Sequence, residues 1–200
     1  MQVLDAKHYK LPQQRKRALL RGLHRIFSPM EVPAPLPPFG SSDLISFLAK
    51  GLPKVRSTEL TPSMRQNMKS FIQLITRAVR ARESKEADPV VICLDRAKGK
   101  RYQQLFYSNR CPTLTTDNRY LYVLIPKELA LPWEDRTMSR FLVPSERMGL
   151  QGKDPSIVAL VPRRQLATLA AGNAYPVPLL CAVMAPMLRA IGNGGREREI

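Results

Sequence analysis

The side chains with the clearest capacity for chemistry here are cations that lack counter-ions. No acid stands between Glu59 and Glu83, and Arg65, Lys69, Arg77 and Arg80 recur there at intervals that fall on one side of an α-helix. A row of that kind neutralises phosphates. A second row, Arg17, Arg21 and Arg25, steps along at four-residue intervals after Arg15 and Lys16. Like charges at that spacing weaken an isolated helix by a few tenths of a kcal/mol per pair, so the row makes sense with an anion opposite. Lys54 and Arg56 follow Gly51 in a loop and extend the same surface. Lys98, Lys100 and Arg101 precede Tyr102, Phe106 and Tyr107, a mixture in which cations meet phosphates and rings stack on unpaired bases. Arg163 and Arg164 open a helix, where the dipole disfavours cations and an external anion would be welcome. These sixteen residues are the candidate RNA contacts.

Catalytic and metal chemistry find little support. The only histidines, His8 and His24, lie in the basic N-terminal stretch, and no Gly-rich phosphate loop follows a strand. Asp95 ends an apolar run, a position where α/β sheets place sites, but Arg96 and Lys98 are close enough to pair with it. Glu134 and Asp135 suit a helix start. Cys93, Cys111 and Cys181 are odd in number and far apart, with neither a metal-ligand spacing nor a disulfide framework. The expectation is a protein that is not an enzyme, with no metal, no cofactor and no small-molecule substrate.

The elements that must carry these cations follow from periodicity. Thr61 to Arg82 predicts the clearest helix, with Thr61 as N-cap, Pro62 at the first helical position, and Met64, Met68, Phe71, Ile72, Ile75 and Val79 on the opposite stripe. Shorter helices are expected over Leu11 to Phe27 and Leu44 to Lys50. Four prolines within Pro33 to Pro38 predict an extended strap that acts as a stiff spacer. Val90 to Leu94, Tyr120 to Ile125 and Ser156 to Val161 are continuous apolar runs, the pattern of strands covered on both faces. Helices follow over Arg163 to Ala171 and over the nearly all-apolar Val177 to Ile191, expected to be buried. Strands separated by helical stretches give an α/β class: a compact α/β/α sandwich with a small, mostly parallel sheet. The expected divisions are 1–40, a basic helical N-terminal arm and Pro-rich strap; 41–191, an α/β RNA-binding domain; and 192–200, a polar tail.

Charge narrows the partner class. Lys and Arg number 32 against 16 acids, for +16, and Met1 to Arg82 holds 15 cations and 4 acids, so +11 resides there. Such a surplus speaks of partners rather than fold, nucleic acid first and an anionic membrane surface second. The longest apolar run, Val177 to Leu188, is too short to span a bilayer and contains Pro178 and Pro186. The first 27 residues are Arg-rich with a single acid, the composition of a mitochondrial transit peptide. A reducing intracellular setting is expected, with the mitochondrial matrix, nucleus or nucleolus, and cytoplasm all open.

Phe47 to Ala170 resembles the kink-turn-binding ribosomal protein family, which includes snoRNP and ribonuclease P/MRP relatives. The pieces that carry the resemblance are Gly51-Leu-Pro-Lys-Val55, Val90-Val-Ile-Cys-Leu-Asp95, Tyr122-Val-Leu-Ile-Pro-Lys-Glu-Leu129 and Ser156-Ile-Val-Ala-Leu160. The resemblance implies an α/β/α sandwich and RNA binding. Pro53 and Lys54 stand where that family places the Asn-Glu pair that reads the kinked RNA, so no residue-level kink-turn recognition is carried over. The resulting expectation is a non-catalytic RNA-binding structural subunit of a large ribonucleoprotein, a ribosome, mitoribosome or RNA-processing particle, among neighbouring proteins and without a membrane. The alternative is a scaffold subunit whose basic face meets acidic protein partners.

Overall fold

The computed structural model describes residues 2–21, 32–49, 60–95, 106, 108–115, 120–132, 136, 139–160 and 164–196. In chain order the elements are β1 (Gln2–Asp5), β2 (Lys16–Leu19), α1 (Pro62–Arg80), β3 (Val90–Cys93), β4 (Leu121–Leu124), β5 (Arg140–Phe141), α2 (Pro144–Gly149), α3 (Arg164–Asn173) and α4 (Val177–Arg196). Short 3₁₀ turns stand at Ala6–His8, Leu44–Phe47, Pro126–Glu128 and Pro155–Leu160.

α1 begins as its residues dictate. The Thr61 hydroxyl accepts from the Met64 amide at 3.2 Å, and Pro62 fills the first helical position. Met68, Phe71 and Ile75 are buried against Val90, Ile92, Leu94, Tyr122 and Leu124. Asn67 adds a polar tie, its amide donating to the Leu94 carbonyl at 2.8 Å. The sheet beneath runs β3-β4-β5, and both pairings are antiparallel, with Val90 opposite Leu124 and Tyr122 opposite Phe141. Its other face, through Val91, Cys93, Leu121 and Val123, packs on Leu44, Leu48, Cys111, Leu114, Leu142 and Leu150.

The class is therefore mixed α/β, but the mostly parallel sheet is corrected to an antiparallel one. The second face is covered largely by irregular chain rather than by the helical layer of a sandwich. A continuous apolar run reports burial on two faces and carries no information on strand direction. Ser156 to Val161 is not a third strand either: Pro155–Leu160 forms an exposed 3₁₀ turn. The Asp154 carboxylate accepts from the Ser156 amide at 2.9 Å, a local bond that starts a helical turn and holds that carboxyl below its usual range.

The expected helix over Leu11 to Phe27 is also replaced. Lys16–Leu19 pairs antiparallel with Gln2–Asp5, Val3 facing Ala18, while 22–31 lies outside the described residues. Nor is the stretch over 2–21 a detached arm. Leu4 and Tyr9 are buried with Leu179, Ala182 and Val183 of α4, and Leu11 is 1% exposed. The strap is fastened to the body as well. Pro186, inside α4, has no N–H to give the Ala182 carbonyl, and that carbonyl accepts from the Leu36 amide of the strap at 2.8 Å. Gly152 marks another close approach: it sits at φ +71°, and a Cβ there would meet Pro178 Cδ at 2.5 Å.

Two buried guanidiniums lock the junctions. Arg140 and Glu146 form a bidentate pair, Nη1 to Oε2 at 2.8 Å and Nη2 to Oε1 at 2.6 Å. Glu146 also accepts from the Ala49 and Val143 amides at 2.8 and 3.0 Å. Arg15 donates to the carbonyls of Leu114, Gly172 and Ala174 at 2.6, 3.3 and 3.0 Å. The last two end α3, where the helix dipole favours a cation.

Candidate nucleic-acid interface

Successive residues of an α-helix turn by about 100°, and each adds about 1.5 Å of rise. Arg65, Lys69, Arg80 and Arg77 therefore fall within a sector of about 120° and span about 22 Å from Arg65 to Arg80. All four are exposed, on the side of α1 away from buried Met68, Phe71 and Ile75. The helix contains no acid, and among the described residues none of the four makes an ion pair. Packing of the apolar stripe and the Asn67 bond fix how this face is presented. The cations need no order of their own; the helix supplies it.

Arg77 and Arg80 stand in the last turn, where they also complement the helix dipole. Arg65 and Lys69 sit in the first half and gain nothing from it. Arg82, which the sequence reading left out, is exposed two residues past the helix at φ +59°. Its signal was present as one more basic residue on the same run. Glu83 and Glu86 close the surface beyond the last turn.

The other expected contacts divide sharply. Lys16 is exposed on β2, and Arg17 beside it is half-buried. Arg21 is half-buried too, and its guanidinium donates to the Pro33 carbonyl and to Gln2 Oε1, a tie between β2 and the strap. Arg15 is corrected outright: it is 4% exposed and committed to three backbone carbonyls, so it offers nothing to a phosphate. Burial lowers its pKa to about 10, reinforced by Arg17 and opposed by Tyr175, which still leaves it charged at neutral pH. Arg25, Lys54, Arg56, Lys98, Lys100, Arg101 and Arg163 lie outside the described residues, as does the Gly51 to Val55 loop. Arg164 opens α3. The structure thus gathers Arg65, Lys69, Arg77 and Arg80 on one face and leaves Lys16, Arg17 and Arg21 on a separate ribbon.

Other chemistry is sparse among the described residues. No group of three or more His, Cys, Asp or Glu could hold a metal ion there, and no helix is long and apolar enough to cross a membrane. A cleft of about 420 Å³ opens between the Leu44–Phe47 turn and α2, lined by Phe47, Ala49, Ser145, Glu146, Gly149 and Lys153. Glu146 in its wall is already saturated by four donors. Compared with known protein families, curated proteins and solved structures, the chain finds no match.

Proposed function

We propose that this chain binds the phosphate backbone of a nucleic acid along the exposed face of α1, as a structural subunit of a ribonucleoprotein with RNA as the partner. The observation that carries the reading is the fixed row Arg65, Lys69, Arg77 and Arg80, without an acid in its sector and without ion pairs among the described residues. Such contacts position a protein on a polynucleotide without reading its sequence. The reading is one of binding, and no catalytic step is assigned to it.

The test is a salt series. Four neutralised phosphates contribute a slope of about −2.8 on single strands and about −3.6 on duplex in log affinity against log salt. Between ~50 and ~200 mM salt that amounts to a loss of roughly 50- to 150-fold. Replacing all four residues with alanine should flatten the slope by about 3, measured by fluorescence anisotropy on an RNA hairpin and a DNA duplex of the same sequence. Unchanged slope and affinity in the quadruple variant would sink the assignment. Tighter binding to the DNA would keep the backbone contact and remove the ribonucleoprotein setting. If an acidic protein is the true partner, added RNA will not displace it.

A further inference from the structure

α4 is apolar on every side. From Val177 to Gly192 its only polar side chain is Arg189. A helix of that composition belongs in an interior, either of a protein or of a bilayer. One stripe meets the expectation: Leu179, Ala182 and Val183 are 0%, 1% and 4% exposed, packed on Leu4 and Tyr9. The opposite stripe does not. Leu180, Met184 and Leu188, at i, i+4 and i+8, are 41%, 40% and 61% exposed, with exposed Cys181 beside them. Single exposed leucines are ordinary on a protein surface, but three in one helical row form an apolar seam left open among the described residues.

The charge of this part of the sequence and of the whole chain bears on what the other half must be. Residues 155–196 contain Arg163, Arg164, Arg189 and Arg196 and no acid; the bounding acids are Asp154 and Glu197. A second copy would bring its own exposed Arg189 and a further +16 overall, and like charges juxtaposed across an interface are costly. We propose that this stripe is the docking surface for a protein partner that presents an apolar helix face rimmed by Asp and Glu. The surface is distinct from the cationic face of α1 and does not depend on nucleic acid.

The full chain is panned against a phage-displayed library of random peptides long enough for four helical turns, with Leu188→Glu as the counter-selected target. Enriched peptides are expected to repeat apolar residues at helical spacing, carry net negative charge, and lose affinity about tenfold or more on Leu188→Glu and on Met184→Glu. Thermal melts matched to wild type establish that both variants fold, and Leu180→Asn serves if either does not. Cys181 supplies a readout at the stripe itself, since Cys93 and Cys111 are buried: bound peptide should slow its alkylation by iodoacetamide at least severalfold. Basic consensus peptides, or enrichment indifferent to all three substitutions, overturn the proposal. So does a wild-type dimer in light scattering that Leu188→Glu converts to monomer, which would make the occupant a second copy. Stripe-dependent binding to phosphatidylserine vesicles without any acidic peptide would place a membrane there instead.

Discussion

Removing the Glu146 carboxylate offers the most demanding check on how the chain is held together. Arg140 and Glu146 are 3% and 2% exposed, so neither charge has water to fall back on. In Glu146→Ala the guanidinium keeps its bonds to the Ala49 and Phe141 carbonyls at 2.8 and 3.2 Å but loses its counter-charge. Breaking one side of a buried pair costs about 3–5 kcal/mol. The Ala49 and Val143 amides are orphaned at the same time, which puts the expected value at the upper end. In a domain of this size each kcal/mol moves the melting temperature by about 2–4 °C, so the variant should melt about 6–20 °C lower. Urea titration is the assay, with an unchanged m-value identifying the loss as one of native-state stability. The double variant Arg140→Met with Glu146→Leu removes both charges and should recover the part of the loss due to the unpaired guanidinium, leaving the part due to the orphaned Ala49 and Val143 amides. A cost below about 1 kcal/mol for Glu146→Ala would mean that the pair is hydrated, and the packing of α2 against the Leu48–Ala49 segment would have to be redrawn.

Arg15→Ala should destabilise by about 3 kcal/mol or more in the same titration, since three carbonyls lose their donor, yet leave the salt slope of nucleic-acid binding unchanged; a flattened slope with intact stability would return Arg15 to the surface. Burial pushes the Cys111 thiol up to about 12, against the pull of Arg147. The unfolded chain releases that proton first, so the stability it confers is complete below about pH 8.5 and is lost as pH rises toward 12, at up to about 1.4 kcal/mol per pH unit. Cys111→Ala should show a correspondingly flatter profile in urea melts across that range, and parallel profiles would refute the burial. Arg82→Gly relieves a left-handed backbone and should stabilise by about 0.5–1 kcal/mol in the same urea titration. Loss of stability there would mean that the Arg82 side chain anchors the turn.

What could be read ahead of the fold was what is local. Thr61, Pro62 and the stripe from Met64 to Val79 define α1 because cap, first-turn proline and periodicity agree within one segment. The runs at Val90 and Tyr120 marked strands, since only two-sided burial asks for unbroken apolar sequence. Strand direction was not legible, being fixed by the intervening chain. Asp-Pro misled for a related reason. Asp88 accepts from the Ser108 hydroxyl across the fold at 2.9 Å, whereas Asp154 bonds its own turn. Identical dipeptides thus open a strand in one place and a 3₁₀ turn in the other. Arg15 and Arg65 look alike as letters; their difference lies in carbonyls 99 and more positions away. Of the candidate interface, the helical part was legible and the N-terminal part was not, because Lys16–Leu19 takes its conformation from β1.

The interleaving of β1 and the strap with α4 also sets a timetable for synthesis. Tyr9 rests on Ala182, 173 positions later. At ribosomal speeds of about 5–20 residues per second, the opening hairpin waits roughly 10–35 s for the helix that will shelter it. During that interval α1 and the antiparallel sheet can assemble from neighbouring sequence, while Leu4, Tyr9 and Leu11 stay uncovered. Nascent-chain chaperones would meet those residues first, and a chain that stalls before Val177 would be left with a finished centre and an unsheltered beginning.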